Sequence, residues 1–280
     1  MQEVHVETYG SLSKREKIEF ILEQMRLTLG KKDFVRAAIV GNKINHKALH
    51  EEGMENEKIK FFTLMAEYHR HEKDALELSK DYHAIYLTST VQAVEEQWAE
   101  ALRATVLFLA LSPYSREQVD LVNRIKADSN LEKMESCSII INLLLSKEIA
   151  SFPVPNQSEI ETWKAWTDGG NDLALHWKST FRTRIIQHNI RVAATYYKRI
   201  HGTRLAQLLG LTPDEVEKEV AGMVSNGDVY AKIDRPNDIF RFKQEKSPET
   251  ILSSFANDVS TLLNLVETTS HLIQKEKMVQ

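Results

Sequence analysis

TRLAQLLGLTPDEVEKEVAGMVSNGDVYAKIDRPNDIFRF, residues 203–242, decides the fold, because this one stretch carries the signals of two short helices and a two-stranded wing. Thr203 stands where a cap precedes the apolar positions Leu205, Leu208 and Leu209, and Gly210 follows where a left-handed residue ends a helix at least cost. Thr212 and Glu215 make a capping box around Pro213 at the first helical position, and Val216, Val220, Met223 and Val224 recur on one face. Asn226 and Gly227 turn the chain. Val229, Tyr230 and Ile233, then Ile239, Phe240 and Phe242, form two β-type runs separated by Arg235, Pro236 and Asn237. Helix, helix and hairpin in this order specify a winged helix-turn-helix.

A winged helix raises the question of nucleic acid, and the charge of its second helix answers against it. Residues 212–226 carry Asp214, Glu215, Glu217 and Glu219 against Lys218, which phosphates would repel. Lys232, Arg235, Arg241 and Lys243 make the wing mildly basic, but Asp234 and Asp238 dilute it. A protein-binding or structural wing is therefore expected. The hairpin strand over residues 239–242, Ile239, Phe240, Arg241 and Phe242, is read as an exposed edge able to extend a neighbour's sheet through main-chain hydrogen bonds.

The remaining sequence is helical in character. In 280 residues of formal net charge −4 there are only six prolines and ten glycines, falling mostly between runs of helical period. Ser13 and Glu16 form a capping box ahead of Ile18, Ile21, Leu22, Met25 and Leu29, and Gly30 closes that helix. Val35, Ala38 and Ile39 mark a second helix, Ile59, Phe62, Met65 and Tyr68 a third, and Ala75, Leu78, Ser79, Tyr82 and Tyr86 a fourth. The next runs from Val91 with Val94, Trp98, Ala101, Leu102, Thr105 and Leu109 on one side, Pro113 stops it, and another begins after Ser115. Starts near Ser13, Glu55 and Val91 recur about every forty residues, the period of stacked helical pairs. A first pair needs a neighbour or cap, so the array is expected to begin before Met1.

Residues 152–170 break the pattern with Pro153, Pro155 and Gly170 around Trp163 and Trp166, which serve either as partner anchors or, the preferred reading, as packing for their own domain. Trp177, Phe181, Ile185, Ile186, Ile190, Ala193, Tyr197 and Ile200 then define a long helix leading to the wing. After it, Ser247 and Pro248 open a terminal helix whose stripe is Ile251, Phe255, Val259, Leu262, Val266, Thr269 and Ile273, widened by Leu252, Leu263 and Leu265. This is more apolar surface than a small winged domain covers. The excess is expected to pack on helices of other chains, the alternative being that it folds back on its own domain.

Signatures of chemistry are missing: no phosphate loop, no Gly-x-Ser-x-Gly, no His-Glu-x-x-His and no pair of cysteines. His69, His71 and Ser79 match the spacing of zinc-dependent deubiquitinating proteases, but Tyr82 stands where the metal-binding aspartate belongs and Asp81 is one residue early. Residues two apart on a helix point in different directions, so a shared metal is not expected. Cys137 alone excludes an internal disulfide framework and reads as a small buried residue in a reducing compartment. The longest apolar run, residues 106–111, is far shorter than the ~20 residues of a membrane span. The N-terminus has no apolar signal region, which together with the rest points to a soluble intracellular chain. No catalytic residue, cofactor or metal is expected.

The order of helical repeats, winged helix and terminal helix resembles the PCI domain. ETYGSLSKREKIEFILEQMRL, IIQHNIRVAATYYKRI, LAQLLGLTPDEVE, VYAKIDRP and HLIQKEKM together resemble a PCI-domain subunit family of the 26S proteasome regulatory-particle lid. The paralogous signalosome subunit four and a nucleic-acid-binding winged helix are the alternatives. The resemblance implies a mainly α fold: a TPR/HEAT-like right-handed solenoid over 1–150 that continues a longer array, a connector over 151–176, a winged-helix subdomain over 177–246 and a bundle helix over 247–280. It implies a non-catalytic scaffold, cytoplasmic and nuclear, that supports ubiquitin-dependent degradation. Its partners would be other PCI and MPN lid subunits, with the solenoid reaching the proteasome base and core, and neither nucleic acid nor membrane. The partner-binding residues are then Ile251, Phe255, Val259, Leu262, Val266 and Ile273 in a helical bundle, with the wing edge side by side against its neighbours.

Overall fold

The computed structural model describes residues 13–45, 48–50, 53–167, 170–243 and 248–279. The chain divides into two compact units, Met1–Ala193 and Ala194–Gln280.

The first unit is built of helices that pack in succession. Ser13 and Glu16 cap each other's backbone at the start of α1 (Lys14–Gly30), whose Ile18, Ile21, Leu22, Met25 and Leu29 are buried. This face packs on α2 (Phe34–Gly41) and α3 (Glu55–Glu72), and Arg15 ties α1 to α3 through a 2.7 Å ion pair with the buried Glu57. Next, α4 (Ala75–Tyr86) packs between α3 and α6 (Glu95–Leu111), with the short α5 (Ser89–Gln92) leading in. Helix starts at Lys14, Glu55 and Glu95 keep the spacing near forty residues.

The apolar run 106–111 belongs to the second half of α6, which is buried all round, so its hydrophobicity reflects a central position in the core. Three backbone carbonyls at its buried C-terminal end find side-chain donors. Gln118 Nε2 donates to Leu109 at 2.9 Å and to Ser112 at 3.3 Å, and Arg184 Nε donates to Leu111 at 3.0 Å. Ser115 caps α7 (Arg116–Lys126), and α8 (Glu135–Leu145) buries Cys137, Ile140 and Ile141. Among the described residues no helix is long and apolar enough to cross a membrane.

Several expectations are corrected. On α2 it is Ala37 and Val40 that are buried, while Val35 and Ile39 are 75% and 58% exposed; a helix of two turns with apolar residues on both sides has its face chosen by the packing of α1 and α3, not by period. Val94 is exposed and extended at the N-cap position of α6, after α5 has ended at Gln92, so the helix expected from Val91 is broken there. Residues 151–176 hold two one-turn helices, α9 (Gln157–Ile160) and α10 (Lys164–Thr167), and the beginning of α11 (Asn171–Tyr196). Trp163 and Trp166 are buried, Trp166 donating its indole N–H to the Ile160 carbonyl at 2.6 Å, which is the packing role and not that of exposed anchors.

The second unit contains the winged helix. Its α11 lead-in stops at Tyr196, and Ile200, expected on that helix, lies instead in β1 (Arg199–His201). After β1 come α12 (Gly202–Leu209), which Gly210 ends at φ +64°, and α13 (Pro213–Asn226) with the Thr212–Glu215 capping box in place. The wing is β2 (Lys232–Asp234) and β3 (Ile239–Arg241), so Val229 and Tyr230 precede the strand. Thr203 lies inside α12, not at its cap. Asp238 of the hairpin turn supplies the cap: its carbonyl accepts from the Gly202 N–H and its carboxylate from the Thr203 N–H, both at 2.9 Å. The last element is α14 (Pro248–Val279); Ser247, its expected cap, lies outside the described residues.

Candidate interaction surfaces

A helix of 32 residues spans about 48 Å at 1.5 Å per residue. Every described side chain along α14 is exposed, and these include Ile251, Phe255, Val259, Leu262, Val266 and Ile273, the stripe expected from the sequence. Leu252, Leu263 and Leu265 are exposed beside it, and Leu272 and Met278, which the stripe missed, extend the apolar surface towards the C-terminus. A soluble chain rarely leaves so many large apolar side chains in water on one element without a use for them. Folding back on the domain, the alternative left open by the sequence, is not what α14 does.

The sheet changes the reading of the wing. Its order is β1-β3-β2, with Ile200 and Ile233 both opposite Phe240. Ile239, Phe240 and Arg241 therefore sit in the central strand, hydrogen-bonded on both sides, and Phe240 and Phe242 are buried. The exposed edge expected there is corrected: the outer strands are β1 and β2. A third strand, centred on Ile200, which the sequence pattern assigned to the preceding helix, turns the edge into the centre. Only the exposed pattern of Arg199 and His201 around the buried Ile200 could have signalled it, and three residues are too few to read.

The residues that raised the question of chemistry are engaged elsewhere. His69 Nδ1 lies 2.6 Å from the Asp81 carboxylate. Burial works against the charged imidazole, but the hydrogen bond and charge of Asp81 outweigh it and hold its pKa above the ordinary value. His71 stacks on Phe34 with ring centroids 3.6 Å apart, so the two histidines serve different contacts. Ser79 donates to the Leu76 carbonyl, and Arg70 donates to the Tyr82 hydroxyl. Burial pushes the Cys137 thiol up to about 12, which keeps it protonated and unreactive as a nucleophile. Among the described residues no cluster of three or more histidine, cysteine or carboxylate side chains could hold a metal.

Comparison with known proteins covers all of these elements. Residues 1–94 match the family model described as PSMD12/CSN4, N-terminal; residues 169–244 match the PCI domain; residues 249–280 match the 26S proteasome regulatory subunit RPN5 C-terminal domain. The chain is 38% identical over 282 residues to the 26S proteasome non-ATPase regulatory subunit 12 of Dictyostelium discoideum, covering 100% of this chain and 62% of that protein. It is 35% identical to the 26S proteasome regulatory subunit RPN5 of Saccharomyces cerevisiae, covering 99% of this chain and 62% of the relative. It is 36% identical to the 26S proteasome non-ATPase regulatory subunit 12 homolog B of Arabidopsis thaliana, covering 100% of this chain and 69% of the relative. The chain thus spans a little under two thirds of the length of the first two relatives. With helical pairs, a winged helix and an exposed terminal helix in the order these matches follow, the chain belongs to the family of the 26S proteasome non-ATPase regulatory subunit 12, RPN5.

Proposed function

We propose that this chain is a non-catalytic scaffold subunit of the 26S proteasome lid and supports ubiquitin-dependent protein degradation by holding other subunits together. The observation that carries the reading is α14, a helix whose apolar stripe from Ile251 to Ile273 lies in water when the chain is alone. Such a stripe suits a helical bundle shared with other PCI and MPN subunits, where Ile251, Phe255, Val259, Leu262, Val266 and Ile273 face partner helices. The free margin of β2, in place of β3, is the edge that a neighbouring PCI subunit extends. The helical pairs of the first unit reach towards the proteasome base and core. A cytoplasmic and nuclear location follows from this role.

The paralogous signalosome subunit four shares the N-terminal family model, and the match of residues 249–280 to the RPN5 C-terminal domain supports the lid. Affinity capture of the tagged chain from cell extract, with partners identified by mass, tests the reading. Recovery of lid subunits is expected; recovery of signalosome subunits, or of no stable partner, would contradict it.

A further inference from the structure

The outer face of the wing sheet carries a row of like charges. Strand register places Arg199 opposite Arg241, and Arg241 opposite Lys232, so three cations stand side by side across three strands, within roughly 10 Å at the usual strand spacing. All three are exposed. Like charges directly opposite each other destabilise a sheet, so the row opposes folding of the isolated unit. Among the described residues only Arg241 of the three has a carboxylate near, Asp234 at 3.7 Å. Among the described residues no ion pair joins Arg199 or Lys232, nor Lys198 and Lys243 at the same end of the sheet.

These five cations line a groove of about 900 Å³ together with Tyr196, Tyr197 and Tyr230. Tyr196 and Tyr197 are exposed, which leaves two phenol hydroxyls available as donors beside the cations. In the other direction along the strands the basic zone stops. The next outward-facing positions, His201, Ile239 and Asp234, end in a carboxylate, and α13 of the same unit carries Asp214, Glu215, Glu217 and Glu219.

The geometry points to this groove as a docking site for an acidic polypeptide segment of a partner chain, with two or three carboxylates seated on the Arg199–Arg241–Lys232 row. An extended segment places alternate side chains about 6.7 Å apart on one face, so two or three of them cover the row of roughly 10 Å. Carboxylates remove the repulsion within the row and accept from the guanidinium forks. Asp234 stands 3.7 Å from the central Arg241, and beyond the row the face continues as His201, Ile239 and Asp234, so the cations suit a short segment with few carboxylates and offer no long basic track to a phosphate chain. The inference goes beyond the scaffold reading and does not depend on it, since the binding is a property of the chain alone.

The test is fluorescence anisotropy on the 280-residue chain with a labelled peptide of alternating glutamate and threonine. Its glutamine counterpart and an oligothymidylate of equal charge serve as rival probes. The glutamate peptide is expected to bind with an affinity that falls steeply with salt. Arg199→Gln, Lys232→Gln and Arg241→Gln together are expected to weaken it about tenfold or more and to raise Tm, because the repulsion is gone. Should that variant fail to fold, Lys232→Gln alone, on an outer strand, is expected to weaken binding about threefold. Equal binding of the glutamine peptide, tighter binding of the oligothymidylate, or unchanged affinity in the variants would overturn the proposal. Self-association of the chain that the same substitutions abolish would assign the row to the acidic α13 of a second copy and would equally overturn it.

Discussion

Replacing Val259, Leu262 and Val266 by glutamine removes the middle of the apolar stripe on α14 and leaves the helix. Glutamine is a better helix former than valine and close to leucine, and all three side chains are in water, so no core contact is lost. In the free chain the three are 41%, 60% and 58% exposed, so roughly half of each side chain remains to be covered on docking. At about 1.5–3 kcal/mol for complete burial of such a side chain, covering half contributes roughly 1 kcal/mol each, or about 3–4 kcal/mol for three well-packed positions. That corresponds to a loss of about a hundredfold to a thousandfold in assembly affinity at 1.4 kcal/mol per decade. The assay is co-expression with subunits of the 26S proteasome lid, the proposed partners, and capture on one of them, with circular dichroism of the variant as the control for folding. Helicity and Tm equal to the unsubstituted chain, with assembly lost, is the expected outcome. Capture at undiminished levels would refute the reasoning, and so would a fall in Tm of the isolated chain, which would mean that the stripe already packs at home.

Three further outcomes follow from the interior. His69 has a pKa raised above its ordinary 6.5 by Asp81, so its contribution to stability is complete below pH 6.5 and is lost as pH rises through the raised folded value; Tm against pH should show this fall, and His69→Gln should flatten it. Leu102 on α6 is fully buried in the core, and Leu102→Ala should cost about 2–5 kcal/mol in chemical denaturation; a change under 1 kcal/mol would mean that the site collapses without a cavity. Gly202 opens α12 against the hairpin, where a Cβ would run into the Asp238 carboxylate and come within 2.8 Å of the Phe240 ring. Gly202→Ala should therefore destabilise the winged helix by about 1–3 kcal/mol, measurable as earlier unfolding of the second unit in limited proteolysis.

Legibility in the sequence followed the length and periodicity of each element. The capping boxes of α1 and α13, the left-handed end of α12 at Gly210 and the seam of α14 are local patterns with local causes, and they stand where the residues put them. What escaped depended on distant partners. Strand β1 is three residues long and exists because β3 pairs with it, so Ile200 reads as the end of a helix until the sheet is seen. Asp238 caps α12 from 36 positions beyond its first residue Gly202, a distance no capping pattern encodes. α8 went unread because its serines and central Asn142 blur a helical stripe whose buried positions are Cys137, Ile140 and Ile141. On the interaction surfaces, the helix was legible from spacing alone, and the strand edge was assigned to the wrong strand for want of the third one.

The most direct test of a scaffold that works through its terminal helix is amide hydrogen exchange over residues 251–273, compared between the isolated chain and the assembled lid. Fast exchange of these amides in the free chain and strong protection in the assembly is the expected result. Protection that is already present in the isolated chain, or that does not change on assembly, would contradict it.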